Sequence, residues 1–261
     1  MYAIVFHAHQ KLDRVAHRHL KSLIAEDVFF PSIKQILKFE AGHGPDSAKL
    51  KRHQKDKQPW HFVDPFDEND TDLHVQIEQH YNRLVKELKK RDSVRSAFEA
   101  SWLAHALVDG LTPAHHYPYE AELKHLRGGE SRETRNGLTG RLYVKSDSVV
   151  ESIHKSLKLI GPKGLLTSHA MFEAGAYTII APQRFKNARP TESEIEEVIE
   201  KGVVSAFKKT AKDVAKMDIY TSFCESGWIQ PVIKGIRDDL APRMINTITL
   251  AWYSAANEAS V

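Results

Sequence analysis

Histidine is the residue type this sequence over-uses, with fifteen in 261 residues, and several stand four positions before a carboxylate. Four residues is just over one helical turn, so such a pair lies on one helix face and can hold a common metal ion. The pairs are His9/Asp13, His105/Asp109, His116/Glu120 and His169/Glu173. Chance alone produces this spacing readily, so the surroundings must separate ligands from ordinary polar faces. In SWLAHALVDGLTPAHHYP, His105 and Asp109 sit among Trp102, Leu103, Leu107 and Val108, where a buried carboxylate needs a partner. Thr112-Pro113 then interrupts the helix, which lets His115 turn back toward Asp109. A His–Asp pair satisfied within a helical core is the competing reading. In LLTSHAMFEAGAY, His169 and Glu173 share an apolar helix, and a ligand pair and a hydrogen-bonded core pair are equally open. His61 lies between Trp60 and Phe62 in QPWHFVDP, and Asp46 follows a Gly-Pro turn in EAGHGPDSAK that projects it on a short rigid loop. His9 stands at a helix start, from which a ligand can reach a neighbouring cleft. On the unbroken helix that follows, His19 lies about 120° around the axis from Asp13. Asp13, His17 and His19 are therefore read as a solvated or partner-facing surface.

Helical periodicity supplies the elements that must position these side chains. Leu12, Val15, Ala16, Leu20 and Leu23 fall on one face of a helix starting near His9. A second run, Ile33 to Phe39, stops at the glycines of AGHGPD. Leu73, Ile77, Tyr81, Leu84 and Leu88 mark a third helix, and Asp92 or Ser93 opens a fourth that Pro113 ends. Further helices are expected near 147–160, 163–181, 191–217 and 236–258, with Thr191 and Glu194 forming a capping box. Strand signals are scarce, apart from a short extended piece at Arg141 to Val144. The polar, glycine-punctuated stretch 128–140 reads as a long loop. The expectation is one all-α domain over residues 1–261. At 41% hydrophobic and 27% charged residues, the composition excludes a disordered chain. No apolar run approaches the ~20 residues of a membrane span. The single Cys224 and the absence of a signal-like leader suit a reducing, cytoplasmic setting. A net charge of +3 is too small to argue for nucleic acid or anionic lipid. Lys208, Lys209, Lys212 and Lys216 could favour phosphates or a membrane surface, although a solvated helix face is the plainer reading.

In chain order, the motifs HQKLDRVA, GPD, WHFVD, HALVDGLTPAH and HAMFE resemble those of the zinc-dependent phospholipase C and fungal single-strand nuclease superfamily. They run from residue 9 to residue 173, about two-thirds of the chain. The resemblance implies an all-helical fold around two or three zinc ions. By it, Asp46, His61, His105 and Asp109 would hold one ion, and Asp109 would bridge to a second that His9 also binds. His115, His169 and Glu173 would hold the third, and Asp46 would orient or deprotonate the attacking water. Secreted members add an N-terminal tryptophan to the second ion, whereas this chain begins at Met1, which leaves His9 and Asp109 with His7 or a water as a substitute. The long interval from His115 to His169 leaves His116, Glu120 or His125 as replacement ligands. Trp60, Phe62, Trp102, Tyr117 and Tyr119 flank the ligands and either line a cleft or pack the core. The implied activity is hydrolysis of a phosphodiester, a phospholipid in the first instance. A nuclease on the same cluster and a non-catalytic, metal-stabilised binding protein are the alternatives. Helical phosphohydrolases built on a His-Asp dipeptide are disfavoured, because none occurs here.

Overall fold

A computed structural model describes residues 2–40, 44–45, 62–116, 119–129, 144–146 and 148–261. Every regular element among them is helical. The N-terminal helix α1 (Tyr2–Lys21) starts well before His9 and buries Leu12, Val15, Ala16 and Leu20. Next come α2 (Ile33–Glu40), α3 (Asp72–Lys89) and α4 (Ser93–Leu111). A single-turn α5 (Pro113–His116), then α6 (Tyr119–Leu126), α7 (Val149–Ile160) and α8 (Leu165–Ile180) complete the middle of the chain. The C-terminal part holds α9 (Glu192–Lys201), α10 (Val203–Ala215), α11 (Ile219–Ser226), α12 (Gln230–Lys234) and α13 (Ala241–Ser260). The expected extended piece and the polar loop lie outside the described residues, except Gly128, Gly129 and Val144. The two glycines take positive φ just after α6, as a chain leaving a helix often requires.

Helix α4 is the axis of the fold. Asp92 caps it, its carboxylate accepting from the backbone N–H of Val94 and Arg95 at 3.0 and 2.9 Å. Nearly every residue from Ser96 to Leu111 is buried, so this helix is enclosed rather than laid on a surface. Gly110 permits that enclosure: a Cβ there would stand 2.5 Å from the side chains of Leu73 and Phe207. On another flank, Trp252 of α13 is fully buried and donates its indole N–H to the Ala100 carbonyl at 3.0 Å. Helices α1, α3 and α13 close the core around it.

Two helix expectations divide. The run 191–217 breaks at Gly202 (φ +82), between α9 and α10. Its opening capping box is present, with Thr191 and Glu194 each accepting from the other's backbone N–H. The run 236–258 starts as a π-helical turn at 235–240, because Pro242 at the head of α13 has no N–H to continue the four-residue ladder.

The expected solvated surface at Asp13, His17 and His19 is corrected, for all three are buried. Helix α1 is packed on several sides by α2, α8 and α13, so its second face is also interior. His17 Nε2 donates to the Pro31 carbonyl and His19 Nε2 to the Phe185 carbonyl, each at 3.0 Å. Burial lowers the pKa of both imidazoles and keeps them neutral. The lysine face of α10 is solvated as its plainer reading held, with Lys209 paired to Glu197 at 2.7 Å and Lys216 to Asp213 at 3.6 Å.

Candidate metal centre

The geometry begins at the C-terminal end of α4, where helix carbonyls lack intrahelical donors. The Thr112 hydroxyl donates to the Val108 carbonyl at 2.9 Å, His115 Nδ1 to the Asp109 carbonyl at 2.8 Å, and His116 Nε2 to the Gly110 carbonyl at 2.6 Å. Pro113 stops the helix and α5 folds the chain back, which brings His115 toward Asp109 as the Thr-Pro interruption suggests. With Nδ1 used on the carbonyl, His115 directs Nε2 outward to Glu173 of α8.

Six ligand-type residues form two groups, and within each the donor atoms lie within 4.8 Å of one another. The inner group is His9, His105 and Asp109, all buried. The Asp109 carboxylate divides its oxygens: Oδ1 faces His9 Nε2 at 3.5 Å and Oδ2 faces His105 Nε2 at 3.2 Å. The His9 and His105 rings stack with centroids 4.2 Å apart. The outer group is His115, His169 and Glu173. Glu173 Oε1 lies 3.2 Å from His115 Nε2 and 3.1 Å from His169 Nε2, and the two rings stack at 5.0 Å. A cavity of about 40 Å³ is lined by His9, Asp109 and Glu173 together with apolar residues of α1, α8 and α13. Since a water needs only ~10–15 Å³, this space has room for a water beside residues of both groups.

One carboxylate here escapes the spacing analysis. Glu40, the last residue of α2, is 1% exposed and accepts from His105 Nδ1 at 2.9 Å and from the Ser101 hydroxyl at 3.2 Å. His9 Nδ1 stands 3.8 Å from the same Oε1. Its signal was the placement of Glu40 four residues after buried Ile36, which puts an acid on the apolar stripe of α2. The Glu40 bond holds the proton on His105 Nδ1, so Nε2 carries the lone pair that faces Asp109. A lone pair and a carboxylate oxygen 3.2 Å apart repel unless a proton or a metal ion lies between them. His115 repeats the pattern, with Nδ1 on a carbonyl and Nε2 on Glu173. The donor set therefore fits a divalent cation of the zinc class, with imidazole nitrogens, carboxylate oxygens and hydrogen-bonded outer partners.

Without an ion, the same side chains form charge-assisted pairs. Burial pushes the Glu173 carboxyl up, yet His169 and His115 outweigh it and hold the group well below the usual carboxylate range. Burial pushes His115 down, and the bond to Glu173 with the Asp109 charge reverses that to a raised pKa. Asp13 is the opposite case: burial first, and then the Glu40 charge, drive its carboxyl well above the usual range.

The structure thus gathers His9, His105, Asp109, His115, His169 and Glu173 of the expected ligands. Asp46 and His61 lie outside the described residues. His105 joins His9 directly around Asp109. Among the replacement ligands, His116 caps Gly110, and burial lowers its pKa to about 4, whereas His125 is exposed. Phe62 forms a wall of the outer group, its ring 5.3 Å from that of His115 and 6.2 Å from that of His169. Trp102 packs instead on Phe98 and His80 at 4.9 and 5.6 Å. Trp60, Tyr117 and the Tyr119 and Glu120 side chains lie outside the described residues. No family model, no curated protein and no solved structure matches the chain.

Proposed function

We propose that this protein is a metal-dependent hydrolase of phosphoric diesters, phospholipase C-like, with a multinuclear zinc centre. The observation that carries the reading is the divided Asp109 carboxylate, one oxygen toward each of two histidines, with a second histidine–carboxylate group sharing its cavity. A carboxylate so placed suits a metal ligand acting together with both histidines. His9, His105 and Asp109 would hold the inner metal and His115, His169 and Glu173 the outer. When bound, such ions supply Lewis acidity toward a phosphodiester and bring the pKa of bound water down toward ~7. The chain's own residues do the rest. Glu40 and the Asp109 carbonyl orient the two imidazoles, Phe62 shields the outer group, and the apolar cavity wall of Leu12, Val108 and Phe172 excludes bulk water. Asp46 remains the proposed residue for positioning the nucleophilic water.

The test is hydrolysis of short-chain phosphatidylcholine by the zinc-loaded protein, with release of phosphocholine. Activity should vanish on chelation, return with zinc and be absent from Asp109→Asn. Cleavage of single-stranded DNA or RNA in place of lipid, with steep salt dependence, would move the reading to a nuclease. Bound zinc with no turnover of any phosphodiester would overturn the hydrolase reading and leave a metal-stabilised binding protein.

A further inference from the structure

The cavity beside the two groups has a mouth and a floor of different character. Ala8 and Leu12 stand four apart on α1, and Phe172 and Ala176 four apart on α8, so each helix turns one alanine and one large apolar side chain to the same space. The alanines are half-buried and mark the mouth. Leu12 and Phe172, with Leu240 and Met244 at the head of α13, are at most 3% exposed and form the floor. The polar lining consists of His9, Asp109, Glu173 and Thr112, and the Thr112 hydroxyl is already spent on the Val108 carbonyl.

From this we infer that the cavity seats a small primary alcohol, methanol or ethanol, which attacks the phosphodiester in place of water, so that the protein transfers phosphoryl groups to alcohols as well as hydrolysing diesters. Three features select that ligand. The first is size. A cavity of about 40 Å³ is about a quarter of the ~150 Å³ that accommodates a benzene ring, which leaves room for one or two carbon atoms. The second is the floor. It offers no hydrogen-bond donor or acceptor, so it suits an alkyl end and penalises any second polar group buried there. The third is charge. Another small anion would face the carboxylates of Asp109 and Glu173, whereas a hydroxyl donates to a carboxylate.

With its alkyl end on the floor, the alcohol turns its oxygen to His9, Asp109 and Glu173, beside the proposed metal positions, where an attacking oxygen is needed. The alcohol oxygen bonds to phosphorus and the bond from phosphorus to the leaving oxygen breaks. The alcohol's proton goes to that departing oxygen, so one diester is exchanged for another and no further reactant is consumed. The inference deepens the phosphodiesterase reading by naming a second acceptor, and it rests on that reading for the reaction, though not for the seat.

Two measurements test it. In the first, the zinc-loaded full chain acts on bis(p-nitrophenyl) phosphate with about 0.5 M methanol, ethanol, 1-butanol or ethylene glycol present. The ratio of alkyl p-nitrophenyl phosphate to p-nitrophenyl phosphate is read by mass spectrometry. Methanol and ethanol should give ratios about tenfold above those of 1-butanol, which overfills the cavity, and of ethylene glycol, whose second hydroxyl would be stranded on the floor. Ala176→Leu, at the half-buried mouth, should lower the ethanol ratio about tenfold, and Leu240→Ala should raise the 1-butanol ratio toward that of ethanol. In the second, the metal-free chain carries ¹³C-methyl methionine, and the Met244 signal, assigned through Met244→Leu, is followed during titration with ethanol. It should shift saturably in the wild type and stay still in Ala176→Leu. Equal ratios for the four alcohols, or an unmoved Met244 signal, would overturn the alcohol seat. Hydrolysis in ethanol with no ethyl ester formed would overturn the transfer and spare the hydrolase. A saturable Met244 shift with neither hydrolysis nor transfer would support the seat and overturn the phosphodiesterase.

Discussion

The inner and outer groups use the same chemistry in different surroundings. His9, His105 and Asp109 come from two long helices, and Glu40 from a third braces them. All four residues are buried. His115 stands on a four-residue helix, and its partners His169 and Glu173 on α8 keep side-chain exposures of 15% and 21%. The inner group is thus fixed by the core's own packing, and an ion held there would be sequestered. The outer group opens toward solvent. The division suits a centre in which the buried group fixes the metal framework and the open group meets the substrate.

The largest expected effect comes from the carboxylate at the centre of the inner group. Asp109→Asn should strip the inner group of its metal and lower phosphodiesterase activity beyond the ~100-fold that loss of an outer partner causes. Retention of full metal and activity would break the assignment. Glu173→Gln should next empty the outer group alone, with the inner ion retained, as a metal titration would show. Loss of both ions together would mean the groups are not separable. Glu40→Gln should weaken inner-site affinity by about 10–100-fold and leave the outer site untouched. Equal weakening at both sites would contradict Glu40's place in the inner group.

A steric change can disturb the outer group without touching a ligand. Gly175, two residues after Glu173, lies against the Trp228 indole, which a Cβ would meet directly. Trp228 is itself held by Phe172 and Phe223 at 6.1 and 4.6 Å. Gly175→Ala should cost ~1–3 kcal/mol of stability by overpacking, measured by urea denaturation, and loosen the outer metal more than the inner.

The smallest effect separates structural histidines from ligands. Burial lowers the pKa of His17, His19 and His74 below the ordinary ~6.5. Just below that value the unfolded chain binds more protons than the folded one. Their contribution to stability is therefore complete above ~6.5 and lost as pH falls through the interval beneath it. His115, with its raised pKa, acts with the opposite sign. The urea midpoint of the metal-free protein should fall between about pH 7.5 and about pH 5.5, and fall less in His17→Asn/His19→Asn. A midpoint that rises on acidification would contradict this balance.

Much of this arrangement is legible before folding is considered. The Asp92 cap, the Pro113 stop and the Thr191 box are local chemistry, complete within a few residues. The four-residue spacings of His105/Asp109 and His169/Glu173 follow from helix geometry alone. What is not legible depends on distant neighbours. Asp13, His17 and His19 read as a polar face because nothing local says that α1 is enclosed on several sides. Among the described residues, the hydrogen-bond partners of Glu40 are distant in sequence, His105 lying 65 positions away. The break at Gly202 is local in cause, but lies within a helical pattern that runs through it.

The most direct test of the metal centre is the zinc content per chain of untagged protein purified without added metal, by elemental mass spectrometry. Two or three zinc ions per chain, falling sharply in Asp109→Asn, is the expected result. A chain that binds no metal tightly would leave His105, Asp109, His169 and Glu173 as buried polar pairs and contradict the metal centre outright.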